Sequence, residues 1–146
     1  MRINLNGSFD LTTNLSNSFA FLTDPKKLSS CVADLKEANF LDTTTFETIL
    51  TLRIGPVNGN FDAKCKITPS PPDSISITID GSGTASSMRL LLSLKLSKKT
   101  EKVTSVTWNA DTEINGLISG LGETILRELS NSKIQEIISV MKTKVV

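Results

Sequence analysis

The chain has 146 residues, 38% of them hydrophobic, with 16 basic against 15 acidic side chains and a formal net charge of +1. That length holds one domain, residues 1–146, and one sizeable core, and so even a charge gives no electrostatic case for nucleic acid. Histidine and tyrosine are absent, which removes the commonest general base, the commonest transition-metal ligand and any Ser-His-Asp or Cys-His site.

The N-terminal stretch MRINLNGSFD alternates as a strand over about Arg2 to Leu11, with Ile3, Leu5, Gly7, Phe9 and Leu11 on one face. It has no apolar core of a signal peptide. No stretch reaches the roughly 18 apolar residues of a spanning helix, so a soluble, cytoplasmic protein is expected. Thr12, Thr13 and Asn14 offer N-cap chemistry for a short helix carrying Leu15, Phe19 and Leu22. Asp24 and Pro25 then suit the cap and first turn of a second short helix, running to about Cys31.

Strand signals dominate from there to Ile114. A short strand is expected around Ala33 to Asn39, before two long alternating runs in the stretch TLRIGPVNGNFDAKC. Phe46, Thr48, Leu50, Leu52 and Ile54 face inward before the turn, and Val57, Phe61, Ala63, Cys65 and Ile67 after it. The change from even to odd numbering is assigned to a bulge or bend at Gly55-Pro56. The prolines of TPSPPDS, Thr68 to Ser74, predict a loop, and GSG at Gly81 to Gly83 a turn or bulge. Further inward rows are Ile75, Ile77 and Ile79; then Met88, Leu90, Leu92, Leu94 and Leu96, with Leu91 outward; then Val106, Trp108, Ala110 and Ile114.

After Asn115-Gly116 the apolar period changes from 2 to about 3.6. Leu117/Ile118, Leu121, Ile125, Leu129, Ile137/Ile138 and Met141 predict one sheet-facing stripe on a helix of roughly 25 residues. Seven strands that each hide one face, six of them joined by short turns, make an antiparallel sheet needing a single cover. The expected fold is α+β: a curved seven-stranded antiparallel sheet wrapped around the long C-terminal helix, with two short helices after the first strand.

Three stretches carry a resemblance. FLTDPKKLSSC, Phe21 to Cys31, resembles the helix–Leu-Thr-Asp-Pro–helix signature of the START-like (Bet v 1-like, helix-grip) superfamily. RIGPVNGNF, Arg53 to Phe61, is similar to the Gly-Pro-Val-x-Gly-x-Phe motif of the carbon monoxide dehydrogenase CoxG family, and INGLISGLGETIL, Ile114 to Leu126, to that family's entry into the last helix. The resemblance implies a helix-grip fold with an apolar cavity, no cofactor, and a hydrophobic small-molecule ligand such as a quinone or lipid. It also implies association with a carbon monoxide dehydrogenase-type molybdenum hydroxylase. Cys31-Val32-Ala33 stands where the family usually has Pro-Gly, and the chain stops at Val146 just past the helix. At most a peripheral membrane contact is therefore carried over.

The candidate ligand-binding residues are Leu50, Phe61, Ala63, Ile77, Met88, Leu90, Trp108, Ile118, Leu121 and Ile125, at mid-strand inward positions or on the helix stripe. Ordinary core packing competes with cavity lining along these rows. The Trp108 indole and Thr48 are the polar groups placed to orient a ligand in a cavity of about 300–1,000 Å³. Ligand exchange would move the loops Pro69–Ser74 and Gly81–Ser87, or the last helix.

Asp111, Glu113 and Glu123 are the carboxylates nearest the helix entry, and the first two have outward parity, against paired-carboxylate catalysis. Cys31 and Cys65 lie far apart without a CxxC, so no metal site is expected. They favour a reducing compartment and leave a single disulfide open. The readings that remain are a non-enzymatic carrier, a docking or assembly module for a partner enzyme, and a small cyclase- or hydrolase-like enzyme.

Overall fold

Ten residues of strict alternation at the N-terminus form β1 (Arg2–Leu11), and two capped helices follow it. Asn14 caps α1 (Leu15–Leu22) by accepting from the Asn17 N–H at 2.8 Å. Asp24 caps α2 (Pro25–Ser29) by accepting from Lys26 N–H at 2.9 Å, with Pro25 in the first turn where its missing donor costs nothing. Five meander strands come next: β2 (Leu35–Phe40), β3 (Thr45–Ile54), β4 (Val57–Ser70), β5 (Ser74–Gly83) and β6 (Ser86–Thr100). β7 (Val103–Gly116), a 3₁₀ turn (Leu117–Leu121) and α3 (Glu123–Lys144) complete the chain. The computed structural model describes residues 1–32, 35–54, 57–83 and 85–145, with the backbone alone at 36, 52–54 and 57.

The seven strands form one antiparallel sheet in the order β1-β7-β6-β5-β4-β3-β2, so the first strand pairs with the last. Alternation sorts the two faces as expected: Ile3, Leu11, Phe46, Phe61, Cys65, Ile67, Ile75, Ile77, Leu96, Val106 and Ile114 are all buried. The outer face carries an alternating charge row along the register, Arg2–Glu113–Arg89–Asp80–Lys64–Glu47. Each neighbour in it meets the opposite sign, which opposes a slip between strands. Arg2 Nη2 lies 3.4 Å from Glu113 Oε2, and Arg89 Nε 3.4 Å from Asp80 Oδ1.

β3 and β4 pair in continuous register from Thr45↔Lys66 to Ile54↔Val57. Every even-numbered residue of β3 therefore faces an odd-numbered one of β4, and the parity change follows from hairpin pairing alone. The expected bulge at Gly55-Pro56 lies outside the described residues, as do Ala33 and the side chains of Leu52, Ile54 and Val57.

Three expected boundaries move. Pro69 lies within β4, paired with Ile75, because the pairing of β4 with β3 ends at Lys66 and leaves that side of the strand free. Gly81 to Gly83 continue β5 instead of turning. A Cβ at Gly83, whose φ is +150°, would sit 2.3 Å from Asn60 O, so the glycine serves a close approach of strands.

The third change affects the cover. Gly122, at φ +89°, separates the 3₁₀ turn from α3, a conformation that L side chains rarely adopt. α3 therefore starts at Glu123 and spans 22 residues, about 33 Å. It runs unbroken through Ser130-Asn131-Ser132. Of the expected stripe Ile138 and Met141 turn inward, joined by Leu126, whereas Ile125 is 47% exposed.

Candidate functional site

Apolar side chains on the inner face of the sheet gather at two closed ends. One cluster joins Leu11, Phe21, Leu22 and Cys31 to Ile67, Ile75, Leu96, Val106 and Met141, where α1, α2 and the end of α3 meet the sheet. The other joins Ile3, Phe61, Ile114, Ile118 and Leu126 beneath the 3₁₀ turn. Between these ends the inner face is covered less completely. Leu5, Leu50, Ile79, Met88, Leu90, Leu92 and Leu121 all keep partial exposure, although their parity or packing directs them inward. The inner face thus holds a buried cluster at each end and a belt of partly exposed apolar side chains in the middle.

Two hydrogen bonds clip α3 over this belt. Arg127 Nη1 donates to Asn4 O on the edge strand β1 at 3.0 Å, and Lys144 Nζ donates to Ser30 O beyond α2 at 3.0 Å. Both draw free backbone carbonyls into charge-assisted bonds. At the other end of the inner face, Ile118 N–H donates to Ser86 Oγ at 2.9 Å, fastening the 3₁₀ turn to the start of β6.

The expected binding residues divide by position. Leu50, Met88, Leu90 and Leu121 lie in the belt. Phe61, Ala63, Ile77 and Ile118 are enclosed, and Trp108 is only 5% exposed. Ile125 faces away from the sheet, a correction that follows from its place on α3, about 160° around the unbroken helix from the buried Met141. Thr48 Oγ1 donates to Glu37 O, so its hydroxyl is already used by β2. The Trp108 indole lies against Gly7, its register partner on β1: a Cβ there would be 2.9 Å from Trp108 Cζ2 and 3.1 Å from Nε1.

The outer face differs in chemistry. A depression of about 730 Å³ is bordered by Asn6, Ser76, Ser93, Lys95 and Asn109 with Trp108 and Leu94 among its lining, and another of about 360 Å³ by Asp80, Ser82, Ser87, Arg89 and Glu113 with Met88. Asp111 and Glu113 lie on this side, both paired with Arg2, and Glu123 pairs with Arg127 on α3. The carboxylates considered for acid–base chemistry therefore sit on the solvated exterior. Cys31 and Cys65 are free and buried, and burial pushes the Cys65 thiol up to about 12. No group of three or more His, Cys, Asp or Glu able to hold a metal occurs among the described residues. Among them, too, no helix is long and apolar enough to cross a membrane.

Comparison of the whole structure places this architecture among known folds. A conserved protein from Geobacillus kaustophilus superposes with a TM-score of 0.89 at 22% identity, covering 98% of this chain and 95% of that one. A START superfamily protein from Mycobacterium smegmatis gives 0.75 at 7% identity, covering 97% and 96%. The Zhui aromatase/cyclase from Streptomyces sp. R1128 gives 0.72 at 6% identity, covering 99% and 94%. At these identities the likeness concerns the fold, which is START-like (Bet v 1-like). A search of curated protein sequences finds no match. The family model for the carbon monoxide dehydrogenase component CoxG, in contrast, matches residues 7–146. A match over nearly the whole chain, on the fold expected from its motifs, shows that the protein belongs to the carbon monoxide dehydrogenase CoxG family.

Proposed function

We propose that the protein is a non-enzymatic carrier that holds a hydrophobic small molecule, a quinone or a lipid, against the apolar belt between the sheet and α3. The observation that carries this reading is the partial exposure of Leu50, Met88, Leu90 and Leu92, inward-facing side chains in the middle of the sheet. Covering apolar surface is favourable by roughly 25 cal/mol per Å², so a molecule seated there gains what a closed core would otherwise supply. The family name supports service to a carbon monoxide dehydrogenase-type molybdenum hydroxylase as the setting.

A second reading, a docking or assembly module for that enzyme, is favoured by one feature. Ile125 and Leu129, one turn apart on α3, are 47% and 37% exposed, and Leu117 is 56% exposed. The cyclase among the fold neighbours keeps a catalytic role on the table for the fold. For this chain, the exterior placement of Asp111 and Glu113 argues against one. Loading is the test. The purified chain should carry or take up one lipophile, and Leu121→Trp, which fills the belt from the 3₁₀ turn, should abolish loading while leaving the fold intact. Equal loading of that variant would place the ligand elsewhere.

A further inference from the structure

The outward rows of the sheet carry a symmetry that pairing within one chain does not require. Read across β1, β7, β6, β5, β4 and β3, the first row is Arg2, Glu113, Arg89, Asp80, Lys64, Glu47. The second is Asn4, Asp111, Leu91, Thr78, Lys66, Thr45. Read backwards, the first row reverses every sign. The second does the same, since Asp111 and Lys66 stand equally far from its middle. In both rows the midpoint falls between β6 and β5. The next row, Asn6, Asn109, Ser93, Ser76 and Thr68, holds no charge.

A two-fold axis laid along the strands at that midpoint sets β6 of one copy on β5 of another, β7 on β4 and β1 on β3. Arg89 then meets Asp80 of the second copy, Glu113 meets its Lys64, Arg2 its Glu47 and Asp111 its Lys66. No like charges meet in these rows, whose charged side chains are exposed apart from the half-buried Asp111. Rotation about that axis gives each strand the tilt of the strand it covers, so two twisted sheets stay parallel across the contact. Facing sheets lie about 10 Å apart, a gap that a basic side chain and a carboxylate span together. Leu91 supplies an apolar centre. It is 49% exposed, the one exposed large apolar side chain on these rows among the described residues, and lies about 2.4 Å from the axis, half a strand spacing. The two copies of Leu91 therefore abut, with Thr78, Ser93 and Ser76 around them. An apolar anchor inside a polar rim is the anatomy of a protein–protein contact, and a net charge of +1 adds little repulsion between copies.

We propose that the outer face of the sheet is a self-recognition surface, through which two copies of this chain associate face to face about an axis between β5 and β6. Six strands make a face about 24 Å wide, and the four rows from Arg2 to Ser8 about 20 Å long, so each copy covers about 500 Å². A total near 1,000 Å² is the size of a weak, reversible contact. The sheet curves toward α3, so Arg89, Asp80, Asp111 and Lys66 near the axis carry the contact, and Arg2 and Glu47 lie at its rim. The inner face and α3 stay outside it.

Sedimentation velocity on the full chain over a dilution series tests this. The wild-type chain should pass from monomer to dimer as its concentration rises, and associate about ten-fold more weakly in high salt. Lys66→Glu sets acid against acid at two symmetric places, and Asp111→Lys sets base against base. Each variant alone should therefore associate about ten-fold more weakly than the wild type. Mixed in equal amounts, the two should regain wild-type association, because at both places an acid again meets a base. A folding defect cannot produce that recovery, and circular dichroism checks each variant. Leu91→Asp, at an exposed position, should abolish the dimer, and it carries the test if Asp111→Lys does not fold. A wild-type chain that stays monomeric at every concentration, variants that associate as the wild type does, or folded variants that gain nothing on mixing would overturn the proposal.

Discussion

Gly7 shows how much one position in the inner row decides. The indole of Trp108 rests where a Cβ would stand 2.9 Å from Cζ2 and 3.0 Å from Cε2, separations that require either the ring or the strand to move. Overpacking of this kind costs about 1–3 kcal/mol. Gly7→Ala should therefore lower unfolding stability by about that amount and shift the indole emission of the folded protein. Chemical denaturation followed by fluorescence reads both; unchanged emission would mean that the ring does not lie over β1. Cys65 offers a second residue-scale test through pH. Burial raises its thiol from 9.0 to about 12, so the folded protein keeps a proton that the unfolded chain releases. Its contribution is complete below pH 9.0 and is lost as the pH rises toward 12. Cys65→Ala should flatten the fall of stability in that window, leaving Cys31, whose thiol burial also raises, as the remaining cysteine contribution. An equal fall in the variant would refute the assignment.

At the scale of elements, the outer charge row and the inner apolar rows specify the same register. A slip of one residue would turn each apolar row outward and separate every charge in the outer row from its opposite partner. Arg89 stands between Glu113 and Asp80 in that row. Its reversal, Arg89→Glu, should cost about 1 kcal/mol at low ionic strength and less in high salt, since exposed pairs are weak and screened. A cost independent of salt would point to packing instead of charge. The strands and their faces were legible in the sequence because period 2 survives in nearly every run, from Ile3–Leu11 to Val106–Ile114. The cover was less legible. Leu117, Leu121, Ile125 and Leu129 keep helical spacing in sequence, yet Gly122 at φ +89° separates the first two from α3, and on that helix Leu126, not Ile125, shares the side of the buried Met141. Nothing in an apolar pattern reports a backbone angle. Pro69 misled for a related reason: its tolerance depends on where the pairing of β3 with β4 stops, which is a property of two strands.

For the whole molecule, the fold and family were readable from motifs spread along the chain, whereas the candidate site was readable only in part. Parity identified the inner face but not which inner residues are sealed and which remain open. Phe61, Ile77 and Ile118 ended inside closed clusters; Leu50, Met88, Leu90 and Leu121 did not. On the proposed carrier reading, the closed ends and the partly exposed middle make a container whose wall its contents complete. Native mass spectrometry of the full chain, purified without detergent and then offered a lipid extract, tests that claim most directly. One bound lipophile of a few hundred daltons per chain, lost in Leu121→Trp, is the predicted result. A chain that stays at its bare mass before and after the extract, with Leu121→Trp indistinguishable from it, would contradict the account.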